Sequence, residues 1–278
     1  MKLTIVGSGR AAWAFASIWT RSGRSVDSVI TRRDPAPAFT EMLAIPRREL
    51  DPSAFRRAEL LLFAVGDGSI RDAYETVRRA IPDEAFLFHP SGSLSSRVFE
   101  HPNRFSLHPL QSLGPPGERE LDFSGTLFTW EGTSSTRRIA VEMTRVAGGE
   151  FRAIETEKKV LYHAAAVFGA NYVAAVLHES ARLMDEAGVA DSERALENLA
   201  VSAIRNWSRH RGRDRFTGPI ARGEVDVVKR HLDALDRSSS QGKAYSLLAT
   251  ILIDALSPES GDPNLHALRE LIDDEKRS

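Results

Sequence analysis

The feature that most constrains the fold is a glycine motif that directly follows a short apolar run at the start of the chain. Residues 3–6 are apolar enough for a buried parallel strand, and residues 7–12 read G-S-G-R-A-A. Gly7 permits a tight turn, Gly9 lets a phosphate approach the backbone, and Ala12 is small enough for close helix packing. The motif therefore predicts a strand, a turn and a helix whose first N–H groups bind a pyrophosphate.

Apolar runs and helical patterns alternate through the first half of the chain. This alternation is typical of a doubly wound parallel sheet, and each run ends in loop residues at the edge where such sheets bind ligands. With the glycine motif, it predicts an α/β, Rossmann-type domain over residues 1–153. The predicted strands are 3–6, 25–30, 60–65, 85–88, 105–107 and 126–130, and the predicted helices are 10–21, 70–80 and 136–146.

The second half of the chain has a helical pattern. Strand-like runs stop near residue 154, so residues 154–278 are predicted to form an all-α domain for substrate binding and dimerisation. The predicted helices are 155–187, 192–209, 225–235 and 240–256, followed by a short one that starts at Asp262-Pro263.

The longest apolar stretch, residues 160–177, approaches the length of a membrane span. It carries His163 and Asn171, and lysines precede it at one end only, so we expect a buried helix of a cytoplasmic protein with no membrane partner. No signal peptide is expected, because the chain runs from Met1 straight into the glycine motif.

The composition limits the chemistry and the partners. The formal net charge of −1 gives no reason to expect nucleic acid as a partner, and we interpret the basic segment 205–213 as a solvated helix end or a lip near an anionic ligand. The chain has no cysteine, which excludes disulfides, zinc–thiolate sites and a cysteine nucleophile. No metal site is predicted.

The end of the second predicted strand bears on which cofactor is bound. An NAD enzyme places an Asp or Glu there, whereas this chain has Thr31, Arg32 and Arg33. A guanidinium suits the 2′-phosphate of NADP, so NADP is predicted over NAD. The alternative is that both arginines are solvated loop residues, and Asp34 weakens the argument if the register shifts.

Two later loops are expected to lie beside the cofactor. Val65-Gly66-Asp67 and Ser91 follow predicted strands, and Ser91 is able to donate a hydrogen bond to cofactor or substrate. The predicted cofactor-binding residues are Gly7, Ser8, Gly9, Arg10, Ala11, Thr31, Arg32, Arg33, Val65, Gly66, Asp67 and Ser91.

Proton donors and polar groups are the candidates for catalysis. His108 follows a strand-like run, and Gln111 is close enough in sequence to share its pocket; a structural loop histidine is the alternative. Lys159, His163 and Asn171 lie roughly on one helical face, which predicts a shared polar cluster, although a core histidine is also possible.

The segment 216–224 is predicted to be a loop before a helix. Arg222 within it is a candidate for binding an anionic group of the substrate. The alternative is a connecting turn with a solvated arginine.

Four segments together resemble a known family. They are Gly7-Ser8-Gly9-Arg10, His108-Pro109-Leu110-Gln111, Tyr162-His163-Ala164-Ala165-Ala166 with Asn171-Tyr172, and Thr217-Gly218-Pro219-Ile220-Ala221-Arg222-Gly223. The chain resembles Rossmann-like proteins with a C-terminal domain of unknown function 2520, which are similar to 6-phosphogluconate dehydrogenase, pyrroline-5-carboxylate reductase, ketopantoate reductase and coenzyme F420-dependent NADP oxidoreductases.

This resemblance implies an NADP-type domain, a helical C-terminal domain and a homodimer built on the long helix. In β-hydroxyacid dehydrogenases of this kind a helix lysine is the general acid, with an asparagine one turn later. Here Lys159 and Asn171 are farther apart, and His163 lies between them.

The leading hypothesis is an NADPH-dependent reductase of a small anionic carbonyl or imine compound, with His163, Asn171 and His108 as catalytic residues. Gln111, Lys159 and Arg222 would bind the substrate. The alternatives are an NADPH-binding sensor or scaffold without turnover, and a reductase that uses NAD or coenzyme F420.

Overall fold

The computed structural model describes residues 1–32, 34–117, 121–236, 238–256 and 261–273. Within them, one sheet of eight strands has the order β3-β2-β1-β4-β5-β6-β7-β8. The strands are β1 (Leu3–Val6), β2 (Val26–Ile30), β3 (Arg47–Arg48), β4 (Leu60–Phe63), β5 (Phe86–His89), β6 (Arg104–Pro109), β7 (Leu127–Gly132) and β8 (Glu150–Ala153).

The first six strands are parallel, and β7 runs antiparallel to β6. Their order, 3-2-1-4-5-6, is that of the doubly wound dinucleotide-binding fold. The sequence prediction of this fold class is confirmed.

Burial on both faces explains why the central strands read as continuous apolar runs. All four residues of β1 and of β4 are buried, because helices cover both faces of the sheet. One apolar cluster includes α1 (Arg10–Arg21) and α3 (Arg137–Ala147), and the other includes α2 (Asp67–Val77). The sequence motif at the start of α1 is therefore held rigidly at the sheet edge.

Two strands were missed by the sequence analysis. β3 has only two residues, both exposed arginines, so it carries no apolar signal. β8 has only one partly buried apolar side chain, Phe151, among exposed residues, and it pairs with β7 in parallel. Both strands lie at an edge of the sheet, where burial imposes little pattern.

The chain divides into two compact units, Met1–Asn171 and Tyr172–Ser278. The expected boundary at 153/154 follows the last described strand, whereas the first unit also includes α4 (Lys159–Val167). In the second unit, a separate apolar cluster is built from its last four helices. The helices of this unit are α5 (Val173–Glu186), α6 (Ser192–Arg209), α7 (Pro219–Arg222), α8 (Val225–Ala234), α9 (Ser240–Leu256) and α10 (Pro263–Asp273).

The predicted long helix is present, but its predicted burial is wrong. Helical structure runs from Thr156 to Glu186, with a π-helical segment at Phe168–Tyr172 between α4 and α5. By length and composition alone it is the one helix among the described residues that passes as a membrane span. Leu161 is 76% exposed and Phe168 63% exposed, so these apolar side chains of the helix are not buried.

Candidate functional site

A cavity of about 640 Å³ lies at the carboxyl ends of β1, β2 and β4. This is the edge at which open parallel sheets bind their ligands. Seven of the predicted cofactor residues line it, namely Gly7, Ser8, Gly9, Thr31, Arg32, Val65 and Gly66. Seven lining residues were not predicted to bind cofactor, namely Val6, Ile30, Leu50, Ala64, Ser69, Asp72 and Ala73.

The glycine motif has the geometry that its sequence indicated. Gly7 has φ +109°, and a Cβ there would stand 2.3 Å from the carbonyl oxygen of Ala64, so only glycine fits. Gly9 precedes α1, and nothing lies within 4 Å of the Cβ position there, which leaves its backbone open to a ligand. The first N–H groups of α1 are thus available for an anion.

Arg32 lies at the cavity rim beyond the end of β2. It is exposed and makes no ion pair with any described residue. Asp34, the acidic residue that follows the two arginines, pairs with Arg47 at 3.4 Å and does not line the cavity. Arg33 lies outside the described residues.

Four predicted cofactor residues do not line the cavity. Arg10 and Ala11, in the first turn of α1, do not line the cavity. The Arg10 guanidinium instead donates to the carbonyl oxygen of Leu113 at 3.4 Å. Asp67 and Ser91 instead contact each other, because the Ser91 hydroxyl donates to Asp67 Oδ2 at 2.5 Å. Asp67 directly follows the cavity residue Gly66, so this pair extends the polar surface beyond the cavity edge.

Lys159, which was predicted to bind substrate, is fully buried in the structure. Its Nζ donates to Ser106 Oγ at 2.6 Å and to the carbonyl oxygen of Ser91 at 3.3 Å. Burial lowers the pKa of Lys159 to about 8, and the negative charges of Glu131 and Asp67 oppose that shift. Lys159 thus ties the first turn of α4 to β6 and to the Ser91 loop.

His108 and Tyr162 form a hydrogen-bonded pair. His108 Nδ1 lies 2.8 Å from Tyr162 Oη, and the two rings are almost perpendicular. Burial lowers the pKa of His108 to about 4, and the nearby His163 and Lys159 act in the same direction. His108 is therefore a neutral imidazole near pH 7 and is not a general acid in its charged form.

His163 lies beside His108, with ring centroids 5.8 Å apart. Both rings pack closely against Gly92. A Cβ at this position would lie 2.7 Å from His163 Nδ1 and 3.0 Å from His108 Nε2. His163 Nδ1 is buried and has no hydrogen-bond partner among the described residues. The structure thus brings together two of the three predicted catalytic side chains, His108 and His163. They meet beside Gly92, which has no side chain.

Two other predicted site residues are not part of this cluster. Asn171 is exposed, so it is not a member of a buried polar cluster. The Gln111 amide is occupied by the carbonyl oxygen of Asp122 at 2.9 Å and by the Thr126 hydroxyl at 2.6 Å. The side chains of these two predicted residues are thus either solvated or already paired.

In the second unit, the segment 216–224 contains the short helix α7, which was predicted as a loop. The Arg222 guanidinium is bound in a fork by the Glu224 carboxylate at 2.8 and 2.9 Å. The side chain that was predicted to hold a substrate anion is therefore already paired with an internal one.

Sequence reasoning missed two buried polar residues near the cluster. His89 ends β5 and is fully buried, and burial lowers its pKa to about 4. Glu131 is 7% exposed, and it accepts hydrogen bonds at 2.8 Å from both the backbone N–H and the hydroxyl of Ser96. Neither residue stands in a motif, so only its burial reveals it. No group of three or more potential metal ligands occurs among the described residues.

The fold and the cavity define a Rossmann-type sheet followed by a helical region. Residues 126–251 match the family described as Domain of unknown function (DUF2520), as the sequence motifs indicated. Comparison with curated protein sequences finds no match.

Solved structures show the same fold. A protein of Bacteroides fragilis with a provisional description as an NADP oxidoreductase is 20% identical, with a TM-score of 0.77 over 90% of this chain and 97% of its own. A Thermotoga maritima protein is 24% identical, with a TM-score of 0.72 over 92% and 99%. Pyrroline carboxylate reductase of Plasmodium falciparum, with NADP bound, is 10% identical, with a TM-score of 0.60 over 92% and 100%. At these identities the likeness establishes the fold.

Proposed function

We propose that this chain is an NADP(H)-dependent oxidoreductase that reduces a small anionic carbonyl or imine compound. The observation that carries the proposal is the cavity of about 640 Å³ lined by the glycine motif, with the exposed Arg32 at its rim. NADP is bound in one solved structure of the same fold. When bound, NADPH supplies the hydride that such a reduction needs.

The residues of the chain supply the binding and proton chemistry. The backbone of residues 7–9 and the start of α1 would hold the pyrophosphate, and Arg32 the 2′-phosphate. His108 would orient the substrate, and His163 beside it would hold the proton that the substrate takes up. The buried ammonium of Lys159 places a positive charge behind the Ser91 loop, which favours an anionic substrate.

A nicotinamide fluorescence titration of the purified chain with NADPH and with NADH tests the cofactor. We expect tighter binding of NADPH, weakened about 10- to 100-fold in Arg32→Ala, because a charge-assisted contact contributes about 1.5–3 kcal/mol. NADH affinity should not change. Arg138→Ala, which removes an exposed arginine on α3, is the matched control. Binding of neither dinucleotide would refute the proposal.

We further propose that the functional form is a homodimer in which a second copy covers the exposed apolar residues. These include Val160, Leu161, Phe168 and Val176 on the long helix, Leu199, Ile204 and Trp207 on α6, and Leu247 and Ile251 on α9. On α6 these side chains alternate with charged ones such as Arg205, which suits a protein partner better than a lipid core.

Sedimentation equilibrium tests the dimer. Leu161→Lys should shift the protein toward monomer, since it places a charge in a desolvated apolar contact. Val141→Lys, at a 39% exposed position on α3, should leave the mass unchanged. A wild-type monomer that floats with lipid vesicles would instead show that a membrane covers these apolar residues.

A further inference from the structure

The hydrogen bond between Tyr162 and His108 bears on which ring nitrogen of His108 carries the proton. Tyr162 Oη lies 2.8 Å from His108 Nδ1, with the rings at 88° and their centroids 5.5 Å apart. The two residues are 54 positions apart and meet because the first turns of α4 lie beside β6. Both side chains are partly buried, so water competes poorly for this bond.

The chemistry of the two groups sets the direction of the bond. Burial raises the pKa of the Tyr162 phenol, so the hydroxyl keeps its proton. His108 is neutral, with a pKa of about 4, so its ring has one N–H donor and one acceptor nitrogen. The Thr129 hydroxyl donates to the phenol oxygen, which leaves the phenol proton for His108. Nδ1 is therefore the acceptor, and the ring proton stays on Nε2.

The other ring nitrogen faces the loop at Gly92. His108 Nε2 lies 3.0 Å from the position that a Cβ of Gly92 would occupy, so that face of the ring meets a residue without a side chain. A hydrogen on Nε2 is therefore presented at the Gly92 loop, next to the Ser91–Asp67 pair. Such a donor suits a substrate that offers an acceptor there, a carbonyl oxygen or a carboxylate, rather than an amine N–H.

We propose that Tyr162 is a positioning residue that holds His108 in the tautomer with its proton on Nε2, so that His108 donates a hydrogen bond to an acceptor atom of the substrate. The role of the substrate rests on the proposed function, whereas the tautomer is a property of the free protein. Among the predicted catalytic residues, His108 thereby becomes a neutral hydrogen-bond donor in the way that some enzymes use an imidazole to polarise a carbonyl.

Long-range proton–nitrogen NMR on the full chain labelled with ¹⁵N histidine tests this directly. The chain has eight histidines, and loss of one signal set in His108→Gln assigns His108. We expect the wild type to show a protonated Nε2 and an unprotonated Nδ1 from pH 8 down to about pH 5. In Tyr162→Phe the two nitrogen shifts should move toward each other, as the ring exchanges between both tautomers.

The second unit provides a matched control. His231 Nδ1 lies 2.9 Å from Tyr245 Oη, with the rings at 89°, in an exposed pair of the same geometry. Tyr245→Phe should alter the His231 shifts and leave those of His108 unchanged.

A wild-type proton on Nδ1 would overturn the proposal, and so would His108 shifts that do not respond to Tyr162→Phe. The NADPH titration separates this result from the proposed function. A chain that binds no NADPH but shows the expected shifts would refute the reductase and leave the tautomer in place. Normal NADPH binding together with His108 shifts that do not change in Tyr162→Phe would refute the tautomer proposal and leave the reductase proposal in place.

Discussion

Replacement of Lys159 by Met should change how the stability of the protein depends on pH. Lys159 is 0% exposed, its Nζ contacts Ser106 Oγ and the Ser91 carbonyl oxygen, and it forms no ion pair with a described carboxylate. Met has nearly the same length and no charge, so Lys159→Met removes the titration with little change in packed volume.

The magnitude follows from the shift in pKa. Burial lowers the pKa of Lys159 from 10.5 to about 8 in the folded protein. Between pH 8 and 10.5 the unfolded chain therefore binds a proton that the folded chain has released, so the free energy of unfolding rises with pH. The full rise is about 3 kcal/mol, at about 1.4 kcal/mol for each unit of pKa.

Urea unfolding at several pH values from about 7 to about 10.5 measures this effect. The free energy of unfolding of the wild type, minus that of Lys159→Met, should become more positive as the pH rises across that range. Lys158→Met is the control, because Lys158 is exposed and its pKa is raised by its bond to Glu155. It should leave the wild-type rise in place. Parallel curves for wild type and Lys159→Met would refute the burial of a charged lysine.

Other changes around the same loop have separate outcomes. Gly92→Ala should displace the rings of His108 and His163 and shift their NMR signals, since its Cβ would stand 2.7 and 3.0 Å from their nitrogens; Gly68→Ala, with open space at its Cβ, should not. Acidification from pH 6.5 to 4 should lower the free energy of unfolding by up to about 3 kcal/mol through His89, whose folded pKa of about 4 lies below that of the unfolded chain. The urea midpoints of His89→Gln should fall less steeply over that range, and an equal fall would show that His89 does not contribute.

Most of the sheet could be predicted because strands that are buried on both faces have continuous apolar sequences. Residues 60–63, all buried, are the clearest case. The exposure of the long helix could not be predicted, because an apolar stretch looks the same whether its own chain or another molecule covers it.

The candidate site was only partly predictable. Gly7 and Gly9 were found because their roles depend on neighbours in sequence. Tyr162 was not recognised as a partner of His108, since that contact depends on how α4 packs on the sheet rather than on a local pattern. Lys159 was placed on the correct helix, but its complete burial is a tertiary property.

The absence of a side chain at Gly92 has a consequence for how this chain can evolve. Two imidazoles from different elements occupy the space that any larger residue would need, at 2.7 and 3.0 Å from its first carbon atom. A mutation there is therefore tolerated only after His108 or His163 has been exchanged or moved. Positions 92, 108 and 163 should accordingly vary as a group among descendants of a common ancestor, and a lineage that loses the glycine should already have lost one of the histidines.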